Sequence, residues 1–176
     1  MDRTDLGSDW RGDFILSSQV WSTARDLARL GVLYLDDGMW NGERLFPAGW
    51  SRFVATPAPA QSAVVRTGGP GYGGFFWLFG PAQGLPAGTD AMMGARGQYV
   101  FIVPARNLVI VRRGFDAFSG PQFDMARFCR DVLAALPGKT DAGPGREGRI
   151  PAQIDPPLMS QGMANLSTTM PKALAK

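Results

Sequence analysis

"AMMGARGQYVFIVPARNLVIVRR", residues 91–113, reads as two β-strands joined by a hairpin turn. GQYVFIVP (97–104) and NLVIVRR (107–113) are near-continuous apolar runs, the pattern of strands covered on both faces. Ala105-Arg106-Asn107 supplies a tight turn between them. In front of the first strand, Gly94 and Gly97 flank Ala95-Arg96, an exposed backbone kink at the mouth of an apolar strand. Taken alone, two glycines there describe a β-bulge.

Outward from this pair the period changes. YGGFFWLFG (72–80) is short, aromatic and glycine-punctuated, which predicts a further strand. PQFDMARFCRDVLAAL (121–136) predicts a terminal amphipathic helix with the apolar row Met125, Phe128, Cys129, Val132 and Leu136. STARDLARLGVLYLDDG (22–38) is the clearest helix, with Thr23 as N-cap and Asp26 three residues on in capping-box position. Ala24, Leu27, Leu30, Gly31 and Tyr34 make its apolar face, Arg25, Asp26 and Arg29 lie opposite, and Gly38 stops it. Gly31 is unfavourable inside a helix by about 1 kcal/mol relative to alanine, which predicts close packing at that point. A second helix is expected from Pro47 to before Pro57, with PAPAQ (57–61) as a connector. Residues 1–19 read as polar and irregular, and residues 138–176 as a disordered tail.

Composition narrows the chemistry. A chain of 176 residues with 45% apolar residues is long enough for one domain with a core. The net charge is +3, with five Lys/Arg against three Asp/Glu beyond residue 137, so the body is close to neutral. That argues against a nucleic-acid surface. No apolar run approaches a membrane span, and the first thirty residues lack a signal-peptide layout. The compartment stays open between cytoplasm and periplasm. There is no histidine, which removes Ser-His-Asp and Cys-His catalysis and most zinc sites. No lysine precedes Lys139, so a buried lysine base is also excluded from the body. No metal or cofactor is expected.

Three spellings carry no weight. GPGYGG (69–74) matches G-x-G-x-x-G, but a linker precedes it and a strand follows, so no helix N-terminus meets a phosphate. Arg11-Gly12-Asp13 is a solvated turn, and Asn165-Leu166-Ser167 is a sequon without evidence of secretion. Cys129, on an apolar helix row with no histidine partner, belongs to the core.

Two stretches together carry a resemblance. SSQVWSTARDLARLGVLYLDDGMWNGERLFPAGW (17–50) resembles a segment of the serine β-lactamase-like hydrolases. That family includes class C β-lactamases, penicillin-binding-protein-type enzymes, esterases and 6-aminohexanoate-dimer hydrolases. GARGQYVFIVPARNLVIVRRG (94–114) resembles the strand pair that carries the family's third active-site motif. The resemblance covers roughly residues 1–136. It implies an α/β three-layer sandwich: an antiparallel sheet with terminal helices on one face and a helical part on the other. In those terms residues 1–137 are the C-terminal portion of a β-lactamase-like domain, 1–59 its helical part and 60–137 its antiparallel strands plus terminal helix.

The resemblance also implies a mechanism. A serine in S-x-x-K forms an acyl-enzyme, its lysine and a Y-x-N tyrosine handle protons, and K-T-G or a variant lies on the sheet's edge strand. Carried over, Met92 and Met93 stand where K-T would, Gly94 matches the motif glycine, and the Ala95 N–H is the oxyanion donor. Arg96 falls at a polar position suited to an anionic ligand, and Gly97-Gln98 matches the family's G-Q, so Gly94, Arg96, Gly97 and Gln98 are the expected substrate contacts. The departures are as informative. No serine is followed by lysine three residues on, no tyrosine by x-Asn, and the K-T-G lysine is missing. The chain is therefore expected to be the C-terminal part of an ester- or amide-cleaving serine hydrolase, beginning at an internal methionine and inactive alone. Its partner would be a small ester or amide once completed, with self-association through exposed strands. Alternatives are a non-catalytic ligand-binding module and a subunit completed by another chain.

Overall fold

The structure, a computed structural model, describes residues 1–15, 19–61, 68–119 and 122–136. The expected tail at 138–176 lies outside the described residues. At the centre is a five-stranded antiparallel sheet in sequential order: β5 (Gly71–Tyr72), β6 (Trp77–Phe79), β7 (Thr89–Gly94), β8 (Gln98–Val103) and β9 (Leu108–Arg113). β8 and β9 pair from Gln98↔Arg113 to Val103↔Leu108. They are joined through a 3-10 turn at Pro104–Arg106 and a left-handed Asn107 with φ 46°. Both strands and their turn fall where the apolar runs predict them.

Alternation sorts the sheet into two faces. Ala91, Tyr99, Phe101, Val103 and Ile110 form one buried layer with Phe79, Cys129 and Leu133. This layer is roofed by α3 (Met125–Ala135), whose N-cap Asp124 accepts the Arg127 N–H at 2.8 Å. On the other face, Ile102 is buried with Val54 and Phe76, flanked by Tyr34, Leu35, Leu78 and Met92. Here lie α1 (Ala24–Leu35) and α2 (Trp50–Val54). A Cβ on Gly31 would stand 2.5 Å from Val109 Cγ1 and 3.1 Å from Val100 Cγ1. The bare glycine thus sets how closely α1 approaches β8 and β9, and helix–sheet–helix gives the three layers.

Several elements differ from the sequence reading. The segment 72–80 is not one strand, because β5 and β6 are separate arms around a bend at Gly73–Phe76. Gly73 leaves no room for a Cβ, which would overlap the Val54 carbonyl oxygen, while Gly74 packs tightly on Val54 and its N–H donates to the Val54 carbonyl at 2.8 Å. The helix expected from Pro47 begins at Trp50, after a left-handed Gly49 (φ 81°). The Asp37 carboxylate fixes that start by accepting the Gly49 N–H at 2.7 Å and the Ser51 N–H at 3.2 Å. Asn41-Gly42, both with positive φ, turns a small hairpin between β3 (Met39–Trp40) and β4 (Glu43–Arg44), a signal the reading of 22–50 passed over. In α3 the buried positions are Cys129 and Leu133, whereas Leu136 is exposed because the helix has already ended at Ala135.

The N-terminal residues are not irregular throughout. β1 (Thr4–Leu6) pairs with β2 (Val20–Ser22) as an antiparallel ribbon. Asp26, expected on the polar face of α1, is buried instead, with 1% exposure. Its carboxylate accepts the Arg3 N–H at 2.9 Å and the Thr4 hydroxyl at 3.0 Å, and pairs with Arg29 at 2.6 Å. Burial pushes this carboxyl up, but those hydrogen bonds and the guanidinium outweigh it, so the group titrates below the usual carboxylate range. The Thr23 hydroxyl caps Asp26 N–H at 3.2 Å, which is half of the expected capping box.

Candidate functional site

The five expected site residues, Gly94 to Gln98, fall together on one hairpin. β7 ends at Gly94, Ala95–Gly97 make the turn, and Gly94↔Gln98 is its closing pair. β7 is not an edge strand along its whole length, since β6 pairs with Thr89, Asp90 and Ala91. Among the described residues that pairing stops at Ala91, so Met92–Gly94 has a strand neighbour on the β8 side only. The expected edge is therefore a half-strand. β6 is only three residues long, and the Gly73–Phe76 bend carries the chain away from β7. Gly94 and Ala95 are exposed at the end of this free stretch.

Two consecutive residues of the turn are left-handed, Arg96 at φ 59° and Gly97 at φ 84°. For arginine this conformation costs on the order of 1–2 kcal/mol, so the surroundings must over-determine it. They do so mainly through the chain after β9. The Gly97 carbonyl accepts the Gly114 N–H at 3.0 Å and Arg112 Nη1 at 2.9 Å. Arg112 holds Asp116 bidentately, Nη1 at 2.9 Å and Nη2 at 2.6 Å. Asp116 N–H donates to the Arg96 carbonyl at 3.0 Å, and Arg96 Nε donates to the Asp116 carbonyl at 3.1 Å. Gln98 Nε2 donates to the Gly114 carbonyl and, at 3.4 Å, to that of Arg96. A Cβ on Gly97 would overlap both Arg112 Nη1 and the Asp116 carboxylate. Only glycine fits there.

The pair is electrostatically self-consistent. The hydrogen bond to Asp116 raises the Arg112 guanidinium further, and the reciprocal bond from Arg112 holds the Asp116 carboxyl below its usual range. The Arg112 guanidinium also lies 3.6 Å above the Phe123 ring. The Arg96 guanidinium lies 3.6 Å from the Phe115 ring centre and 4.8 Å from that of Phe118, and both rings are largely exposed. The Nε of the expected anion-binding arginine is thus committed to the loop. Sequence reasoning missed Arg112, Gly114 and Asp116. One signal was available: strand alternation puts Arg112 on the same inner face as Leu108 and Ile110, an unusual place for a charge.

Three candidate nucleophiles are committed elsewhere in the fold. Cys129 is fully buried under α3, and burial pushes its thiol up to about 11. The Ser51 hydroxyl donates to the Tyr34 carbonyl at 2.7 Å, and the Ser22 hydroxyl lies 2.8 Å from that of Thr4. Among the described residues no group of three or more His, Cys, Asp or Glu side chains is placed to hold a metal ion, and no helix is long and apolar enough to cross a membrane. What the turn offers chemically is an exposed backbone at Gly94-Ala95 beside two braced left-handed residues.

No family model matches the chain. An uncharacterized protein of Alkalihalophilus pseudofirmus is 28% identical over 130 residues, covering 66% of this chain and 38% of that protein. A solved Bacillus anthracis structure, provisionally named a 6-aminohexanoate-dimer hydrolase, matches with a TM-score of 0.56 at 22% identity. That match covers 74% of this chain and 32% of the solved one. Over the matched part the chain shares the fold of that solved structure, an antiparallel sheet between helices. It spans less than two-fifths of the length of either protein.

Proposed function

We propose that this chain is the C-terminal part of a β-lactamase-like serine hydrolase that cleaves esters or amides through an acyl-enzyme. The Ala95 N–H would be one of the two donors to the oxyanion, with Gly94 and Arg96 on the substrate side, while the buried Gly97 faces Arg112 and Asp116 and the Gln98 side chain is tied to the Gly114 carbonyl. The observation that carries this reading is the exposed Gly94-Ala95 peptide, at the end of a half-paired strand and backed by a braced turn. An oxyanion donor must approach its oxygen to about 2.7–3.1 Å without reorganising. Nothing bulkier than a methyl group stands at Gly94 or Ala95. The nucleophile and proton-handling groups would come from segments bearing S-x-x-K and Y-x-N. The exposed Leu6, Trp10, Phe14, Val20 and Trp21 around the N-terminal ribbon support a further segment covering that side.

The test has two stages. The chain alone should turn over neither activated esters nor chromogenic cephalosporins, and should take no fluorophosphonate label. Co-expressed with an S-x-x-K- and Y-x-N-bearing segment from a hydrolase of this fold, it should gain esterase activity. Ala95→Pro, which deletes the N–H, should then cost on the order of 10²–10³ in kcat, while Ala95→Gly, which keeps it, should stay near the parent. A stoichiometric serine adduct on the chain alone refutes the reading. So does unchanged turnover in a folded Ala95→Pro variant.

A further inference from the structure

A polar cluster of Arg112 and Asp116 braces the turn next to the proposed oxyanion donor without containing it. We propose that Arg112, held bidentately by Asp116, is a positioning residue that clamps the Gly97 carbonyl and so aims the Ala95 N–H at the acyl carbonyl. This rests on the reading of Ala95 as a donor.

Arg112 occupies a position that alternation assigns to the layer under α3, beside Leu108 and Ile110, and its side chain is 18% exposed. A half-buried ion pair is a poor route to stability, because desolvation offsets most of the attraction. A leucine or methionine would cover Phe123 at less cost. What the pair supplies that an apolar residue cannot is direction. Its atoms end on the turn and on the segment that follows β9: Gly97 O, the Asp116 carboxylate and, through Asp116 N–H, Arg96 O. Arg96 and Gly97 are the two left-handed residues, and Ala95 is their immediate neighbour. Holding their carbonyls holds the peptide planes of the turn. A donor fixed before the substrate arrives needs no reorganisation in the transition state.

The experiment begins on the full chain. In Arg112→Ala, the Gly114 and Asp116 amide protons, which close the loop onto Gly97 and Arg96, should exchange about 10- to 100-fold faster, as expected for loss of charge-assisted hydrogen bonds. The Phe101 and Ile102 amides in the sheet centre should not change. Guanidinium chloride at low, non-denaturing concentration should restore protection in Arg112→Ala by refilling the vacated site. It should not do so in Asp116→Ala, which lacks the acceptor. Unchanged Gly114 and Asp116 exchange in Arg112→Ala, or no guanidinium rescue, overturns the clamp. In the completed hydrolase, Arg112→Ala should lower kcat with KM nearly unchanged, and guanidinium should recover part of the loss. If Ala95→Pro abolishes turnover while Arg112→Ala leaves kcat intact, positioning fails and the donor reading stands. If Ala95→Pro has no effect, the donor reading itself fails.

Discussion

Replacing Gly31 by alanine sets two well-known effects against each other at one atom. In an exposed helix the change stabilises by about 1 kcal/mol, because glycine has the poorer helix propensity. Here the new methyl would stand 2.5 Å and 3.2 Å from the two Cγ atoms of Val109, and 3.1 Å from Val100 Cγ1. Valine is stiff at χ1, and turning one Val109 methyl away brings the other in. The contact is therefore relieved only by moving α1 off the sheet. Overpacking of this kind costs about 1–3 kcal/mol, so a net destabilisation of roughly 1–2 kcal/mol is expected. At this chain length that lowers Tm by roughly 2–8 °C. Denaturant unfolding followed by tryptophan fluorescence measures it directly. The companion measurement is a double-mutant cycle with Val109→Ala: the smaller side chain makes room, so Gly31→Ala should then be neutral or stabilising, with a coupling of about 1 kcal/mol or more. A Gly31→Ala chain that is more stable than the parent, or additivity in the cycle, would refute the close approach of α1 to β9.

Acid should act through Asp26 and Asp116. Both carboxyls titrate lower in the folded chain than when unfolded. The stability they contribute is therefore fully present above the unfolded value of about 3.9 and lost as pH falls through the folded ones. Denaturant midpoints should be flat from pH 7 to 5 and drop below about 4, and Asp26→Asn should be less stable at neutral pH with a shallower acid limb. Gly97→Ala and Gly12→Ala share a left-handed φ, +84° and +87°. Gly12 has nothing within 4 Å of an added Cβ, whereas Gly97 has Arg112 and Asp116. Gly97→Ala should be the more costly by about 1–3 kcal/mol, and equal costs in thermal melts would remove the packing around the turn from the account.

Much of the fold was legible because local signals and tertiary context agree. Val100–Val103 and Leu108–Val111 are apolar on both faces because α1 and α3 cover both. α1 carries its own start in Thr23, but it stops one residue before the expected Gly38, at a left-handed Asp37 (φ 49°) that follows the C-cap Asp36. Apart from the local Asn41-Gly42 hairpin and the early ends of α1 and α3, the misses share a physical cause: the deciding partner lies far along the chain. Gly73 and Gly74 split β5 from β6 because Val54 presses on them, and Asp37 starts α2 from twelve residues away. The edge of β5 is met by a connector residue, since Gln61 exchanges hydrogen bonds of 2.9 Å with both Tyr72 N–H and its carbonyl. The turn at 94–98 was visible as a kink. Its bracing was not, because the bonds that Arg112 and Asp116 make to Gly97 and Arg96 span fifteen to twenty residues, although alternation did place Arg112 on the inner face.

The buried Asp26 carboxylate bears on which parts of the chain tolerate change. Chain termini are ordinarily where trimming and fusion are tolerated. Here the backbone N–H of Arg3 and the hydroxyl of Thr4 solvate a carboxylate at the first turn of α1, and Arg29 reaches past it to Asp2 at 2.8 Å. Removing the first four residues would take one residue from a three-residue strand, a small loss in itself. It would also strip a buried anion of two of its donors and leave it to Arg29, to water or to a proton. The cost of shortening this end is thus electrostatic, and it is felt in the first turn of a helix that the cut never touches.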